Sequence, residues 1–229
     1  MILCLILLLF NCIVSHDALK LLAIITAHDL GHIDSLQYIV GQYVSICEMG
    51  WDVRVVIISS ISLSTIFLEL FTSQYYCFRI SQLLNIQLDY RANLKFKLPR
   101  IHRFIVAEEI DNHDVFVYQE DDIMFSYPHL VAYLEETKNI AGDMEDSVLK
   151  LYCIGFIRFR RNSYDSYITK RDRFEEYPFF SPFCHDKKQY IMATGNTHQA
   201  FWILTKYQLL LLNASCNFLG QSPSTFLPR

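Results

Sequence analysis

The sequence predicts an α/β chain, a mostly parallel sheet flanked by helices, followed by a half in which strands and helices mix. Two observations carry this. Leu21 to Thr26 (LLAIIT) and Val53 to Ile58 (VRVVII) are short and mainly apolar, as strands buried on both faces must be. Between them, from Ile33 to Met49, apolar residues recur at helical spacing until Gly50 supplies a stop. Strand, helix and strand in this order make the βαβ unit of a parallel sheet with helices on its faces.

The later elements follow the same grammar as far as about residue 137. Residues 62–84 mix Ser and Thr with bulky apolar groups and read as a helix plus a connection, after which IQLDY forms a short strand. A helix is predicted from Pro99 to Ile110, with the proline tolerated in its first turn, and DNHD then leads into a strand from Val115 to Tyr118. Ser126 can cap the next helix, which is expected to reach Thr137 with Pro128 near its start. Beyond residue 150 the pattern changes. LYCIGFIRFR reads as a long strand, residues 162–188 are polar and aromatic, and YIMATGNTHQAFWILT reads as strand, turn at Gly195-Asn196, and strand. No final element is evident before the chain stops in QSPSTFLPR.

At 229 residues the chain matches a single domain on a prior of about 150 residues per domain, here residues 16–229. A 52% hydrophobic, 19% charged composition excludes a disordered chain. The net charge of −4, with no dominant basic patch, argues against nucleic acid as a partner. Ile2 to Val14 is apolar but shorter than the roughly 20 residues of a spanning helix, so no stable transmembrane span is predicted. It matches the core of a secretory signal, with Ser15 beside the cleavage point and residues 1–15 removed. The absence of basic residues ahead of it counts against that reading, and a buried element or a shortened anchor is the alternative. On the signal reading the protein resides in the ER or Golgi lumen or is secreted. Asn213-Ala214-Ser215 is then a glycosylation sequon. Of the cysteines, those at 4 and 12 lie in the apolar run, and Cys47, Cys77, Cys153, Cys184 and Cys216 remain without CxxC spacing. A zinc knuckle is not expected, while one or two disulfides or buried thiols are both compatible with the pattern.

The chemistry concentrates where VFVYQEDDIMF, residues 115–125, runs from a buried strand into Glu120, Asp121 and Asp122. Ligands of open parallel sheets bind beyond the carboxyl ends of the strands. Three adjacent carboxylates are tolerated there when solvated, partly protonated or neutralised by a cation. Magnesium and manganese are such cations, bound by one or two carboxylates and by phosphate oxygens. The competing reading is a solvated strand-to-helix turn whose acids favour the positive helix N-terminus.

YQEDDI after a hydrophobic strand, followed by an aromatic residue and a helix, resembles the metal and nucleotide-sugar motif of the GT-A fold glycosyltransferases. AIITAH at the first strand is similar to their segment that meets the nucleotide. The likeness extends over residues 20–212 and implies a GT-A-like, Rossmann-like fold with a nucleotide-binding half (about 20–125) and an acceptor-side half (about 126–212). It implies a nucleotide-diphospho-sugar donor, Mn2+ or Mg2+, and a glycan or glycoprotein acceptor. It makes Asp122 the first metal candidate and Asp121 a second, with Glu120 and Asp121 also contacting the donor. Thr26, His28 and Asp29 would meet the nucleotide, although a capped loop explains them equally.

Arg100, His102 and Arg103 precede the acid strand, where a basic residue such as Arg103 can reach a diphosphate, against the plainer reading of a solvated helix face. Arg158, Arg160 and Arg161 read as outward residues of a strand rather than an anion patch. On the acceptor side the likeness implies Gly195, Asn196, His198 and Gln199, with Trp202 stacking on a sugar or filling the core. Asp165, Asp172, Glu175 and Glu176 are all open as a catalytic base, which an inverting enzyme needs. The late metal histidine common in the family has no good match, because His198 fits poorly. Two other readings stand beside the transferase: a GT-A-like luminal module that binds carbohydrate or protein without chemistry, and a different magnesium-dependent phosphotransfer enzyme. The latter usually carries a D-x-D-x-[TV] run, which QEDDIMF lacks.

Overall fold

A computed structural model of the chain describes residues 18–28, 30–60, 73–92, 94–143, 180–185, 188–193 and 201–220. The first strand, β1 (Lys20–Ala27), leads into helix α1 (Ile33–Glu48), and β2 (Asp52–Ser59) follows. Each strand exceeds its expected core by one residue at both ends. Two short strands, β3 (Tyr76–Cys77) and β4 (Gln82–Leu83), precede β5 (Asn85–Tyr90). Helix α2 (His102–Glu109), β6 (Val115–Glu120) and α3 (Tyr127–Asp143) come next, then β7 (Phe180–His185), β8 (Lys188–Ala193), β9 (Phe201–Thr205) and α4 (Lys206–Cys216).

The main sheet has the order β5-β2-β1-β6-β9. All its pairings are parallel except the last, where β9 runs against β6. This is the α/β, mostly parallel sheet that the apolar runs predict, and its arrangement is Rossmann-like. The chain builds outward from β1 through β2 to β5 and then returns to add β6 on the other side of β1. The order therefore reverses between β1 and β6, and a crevice opens at the carboxyl ends of strands at such a reversal.

Pleat parity divides the core into two layers. Leu21, Ala23, Ile25, Val55, Ile57, Val115 and Val117 pack on Leu36, Ile39, Val40 and Tyr43 of α1 and on Leu130 and Tyr133 of α3. Leu22, Ile24, Val56, Ile58, Phe116 and Tyr118 pack on Val106 of α2 and Leu209 of α4. Successive strand residues face opposite sides, so β1 is buried on both, and its sequence accordingly has no polar alternation. Among the described residues no helix is long and apolar enough to cross a membrane.

Several expectations are corrected. Residues 73–74 are helical and residues 61–72 lie outside the described residues; the expected connection is a small hairpin, with Tyr76 opposite Leu83 and a one-turn 3-10 helix at Phe78–Ile80. Tertiary contacts impose it: Cys77 is disulfide-bonded to Cys47 of α1, and the Glu48 carboxylate accepts the Phe78 and Arg79 N–H groups at 2.5 and 3.2 Å. Gly50, which ends α1, has φ +104°, a conformation that a side chain disfavours. Pro99 lies inside a 3-10 segment, Lys95–Arg100, which closes with the Ile101 N–H on the Leu98 carbonyl at 3.0 Å, and α2 begins only at His102.

Strand β6 extends two residues past Tyr118, held by β1 and β9, so Glu120 is a strand residue. Helix α3 continues to Asp143 rather than Thr137. At its start Ser126 donates its N–H to His129 Nδ1 at 3.2 Å, and its hydroxyl lies 2.7 Å from the same nitrogen. Both strands expected around Gly195-Asn196 are present, β8 pairing with β7 in a separate two-stranded sheet and β9 joining β6. Helix α4 was not anticipated, and the sequon Asn213-Ala214-Ser215 lies in it. The predicted strand LYCIGFIRFR with Arg158 and Arg160, the Arg161 that follows it, the Gly195-Asn196 turn with His198 and Gln199, Asp29, the four candidate bases and residues 1–15 lie outside the described residues.

Candidate functional site at the switch point

Parallel pairing places Thr26 of β1 beside Glu120 of β6 at the carboxyl edge of the sheet. The ladder continues one step further, where the Asp121 N–H donates to the Thr26 carbonyl at 3.1 Å. The segment at the end of β1 and the acids at the end of β6 therefore share one edge of the sheet.

The three acids have different surroundings. Asp121 is 3% exposed. Its Oδ2 accepts the His28 backbone N–H at 3.0 Å, and its Oδ1 lies 3.2 Å from His32 Nδ1. A buried carboxylate is sustained by such donors, and here they tie the β1-α1 connection to the β6 tip. Glu120 and Asp122 are half-buried. Ile123 and Phe125 anchor the acidic turn from below, and the Ile123 N–H donates to the Glu120 carbonyl at 3.1 Å. Phe125 packs against Tyr43 and Phe201.

Behind the tip the polar side chains interlock. Thr26 is fully buried, and its hydroxyl donates to the Tyr118 phenol at 3.4 Å. Burial pushes the Tyr118 phenol up to about 12; the Thr26 hydrogen bond opposes this and the Glu120 and Asp121 charges add to it. On the opposite face Tyr43 donates to Gln119 Oε1 at 3.0 Å, and complete burial raises its ionisation far above the ordinary tyrosine range. Gln119 Nε2 is buried without a hydrogen-bond partner.

Arg103 and Trp202 belong to a second cluster. The Arg103 guanidinium lies 4.6 Å from the Phe218 ring centre, and no described hydrogen bond or ion pair joins it to the acids. Trp202 of β9 pairs with Tyr118 across the ladder and stacks on it at 6.0 Å, with His102 and Phe218 edge-on. His102 is buried against Tyr118 at 4.2 Å, with Nδ1 on the Pro99 carbonyl and Nε2 unpartnered. Burial lowers its pKa to about 4, against the Pro99 carbonyl and helped by the Arg103 charge.

Sequence reasoning missed His32, Tyr43, Tyr118 and Gln119. Only His32 carried a signal, the four-residue spacing of two histidines in AHDLGH. Among the described residues no group of three or more His, Cys, Asp and Glu side chains is poised around a metal ion. Glu120 and Asp122 offer carboxylate oxygens of the kind that hard divalent cations take, and no third such ligand is gathered with them among the described residues.

Fold and site define an α/β chain with a Rossmann-like sheet and three adjacent acids at the carboxyl edge of its switch point. No family model, curated protein or solved structure matches it.

Proposed function

We propose that this chain is a metal-dependent glycosyltransferase of GT-A type, moving a sugar from a nucleotide-diphosphate donor to a glycan or protein acceptor in the secretory pathway. One observation carries the reading: the residues after β1 and the acids after β6 meet at one edge, with Thr26 registered on Glu120 and His28 bonded to Asp121. A nucleotide on β1 and a cation on the acids would share that edge. Asp122 and Glu120 are the carboxylates that would face the cation. Asp121 positions them by fixing the turn to the β1 loop.

A cation bound there would neutralise charge developing on the departing diphosphate. The protein's own contribution is orientation: the acid turn is locked by Ile123, Phe125 and the Asp121 hydrogen bonds, so its carboxylates need little rearrangement as charge develops. The disulfide between Cys47 and Cys77 supports a luminal or secreted setting, since such bonds persist in oxidising compartments. One observation favours a second reading, a carbohydrate- or protein-binding module without chemistry: the most buried acid of the three is spent on the framework, and no three-ligand metal group stands among the described residues.

Thermal unfolding with MnCl2 and a panel of nucleoside diphosphates, paired with a donor-hydrolysis screen, tests the proposal. A matching diphosphate at about 100 times its Kd should stabilise the protein by about 3 kcal/mol only when manganese is present. Asp122→Ala should abolish that shift and the hydrolysis. Absence of any manganese-dependent shift across the panel would overturn the donor site; a shift without turnover of any nucleotide sugar would favour the binding module.

A further inference from the structure

The triplet Asn213-Ala214-Ser215 takes no part in the switch-point edge, and no other Asn-X-Ser or Asn-X-Thr occurs in the sequence. It lies in the last turn of α4, just before Asn217, whose left-handed φ of 53° ends the helix. Leu209 and Leu212 of α4 pack on the sheet, whereas Ala214 and Ser215 are exposed.

The Asn213 side chain is half-buried and is used on one branch only. Its Oδ1 accepts the Leu219 N–H at 2.8 Å, and its backbone carbonyl accepts the Asn217 N–H at 2.8 Å, so Asn213 holds the chain where it leaves the helix. A side-chain amide offers its oxygen as acceptor and its NH2 as a separate donor. With Oδ1 on Leu219, Nδ2 is the branch turned from that contact. It has no hydrogen-bond partner among the described residues, and it is not among their buried unpartnered atoms, so it meets solvent. The Cys47–Cys77 disulfide independently supports passage through an oxidising lumen, where such triplets are modified.

We propose that Asn213 Nδ2 carries an N-linked glycan in the folded protein. This rests on the luminal setting proposed above, and not on the donor site or its chemistry. The co-reactant is an oligosaccharide held on a lipid diphosphate. Nδ2 bonds to the sugar C1, the C1–O bond to the diphosphate breaks with its electron pair leaving on that oxygen, and the nitrogen gives up one proton. Transfer takes place on the entering chain, before α4 forms. The product is still an amide, so Oδ1 keeps its lone pairs and the Leu219 contact survives. The glycan therefore leaves the end of α4 intact and projects into solvent, where such a bulky group must lie.

The test is translation of the full chain with glycosylating microsomes, followed by protease and endoglycosidase treatment. The protease-protected chain should run one step heavier, and endoglycosidase should remove the step. Asn213→Ala and Ser215→Ala should each abolish it, and Ser215→Thr should keep it. In purified protein the Leu219 amide should exchange as slowly in the glycosylated chain as in Ser215→Ala, and faster in Asn213→Ala. A protected chain without the step, or a step that survives Ser215→Ala, overturns the site and leaves the luminal setting standing. Faster Leu219 exchange on glycosylation overturns the fit of the glycan to the folded helix end. A wild-type chain open to protease removes the luminal setting and this site together.

Discussion

The two faces of the main sheet bury polar groups in opposite ways. On the α1 and α3 face, Asp121 has both carboxylate oxygens engaged and the hairpin at residues 75–84 is fastened by a disulfide and by Glu48. On the α2 and α4 face, His102 sits among Tyr118, Trp202 and Phe218 with Nε2 unpartnered. Asp121 and His102 are similarly buried, 3% and 7% exposed, yet only the acid has its polar atoms satisfied. Burial alone therefore does not mark a functional group. The better satisfied face fixes the acidic strand end, and the aromatic face fills volume at an energetic cost carried by the His102 imidazole and the buried Arg103 Nε.

The largest effect expected on this comparison comes from the covalent tie. Cys47 and Cys77 close a loop of 30 residues' separation, and the chain-entropy relation assigns such a link about 4 kcal/mol. The double variant Cys47→Ala/Cys77→Ala should lose about that much in urea unfolding, and hydrogen exchange should rise first in residues 75–84. A loss below about 1 kcal/mol would mean that Glu48 and packing hold the hairpin without the bond, and the α1 face would owe nothing special to it.

The aromatic face should reveal itself through pH. His102 has its pKa lowered by burial to about 4 from the ordinary imidazole value of 6.5. Between these values the unfolded chain binds a proton that the folded chain refuses. Stability from this group is therefore complete above about pH 6.5 and is lost as pH falls toward 4. The total is on the order of 3 kcal/mol. His102→Phe should flatten unfolding free energy across that window while changing it by about 1 kcal/mol or less at pH 7, since an apolar ring of similar shape leaves no unpaired Nε2. An unchanged pH profile in the variant would show that His102 is not the buried neutral base the geometry describes.

How much of this was legible in the sequence follows from where each determinant lies. β1, α1 and β2 could be read because strands buried on both faces leave an apolar run and the intervening helix keeps its period. The hairpin at residues 75–84 could not, since a disulfide to Cys47 and a carboxylate from Glu48 decide it, and neither is local. Helix α4 left one overlooked signal: Thr205 and Gln208 form a reciprocal capping box ahead of KYQLLLLNASC. The acid cluster stood out because adjacent charges after an apolar strand are costly. Which acid would be buried did not, because it depends on the His28 N–H and the His32 ring folding back from β1. Arg103 and Trp202 were read by chain position alone, and the face of the sheet they occupy is set by pleat parity and by Phe218 beyond α4.

The smallest of the three effects bears on Gln119, which with Thr137 of α3 is an exception within the better satisfied face. Tyr43 is wholly buried and donates to Gln119 Oε1, while Gln119 Nε2 has no partner. Its ionisation is raised so far that the phenol stays a neutral donor wherever the protein is folded. Tyr43→Phe would strand the second polar atom of Gln119 and should cost about 2 kcal/mol, within the penalty for a buried group left unsatisfied. The double variant Tyr43→Phe/Gln119→Leu should recover most of it, because replacing both partners by apolar groups removes the unmet hydrogen-bonding demand. Recovery would show that Gln119 is a structural tether between α1 and the strand bearing the acids. If the double variant instead loses manganese-dependent diphosphate binding while regaining stability, Gln119 sets the position of the acidic turn as well, and the polar interlock behind the crevice belongs to the site.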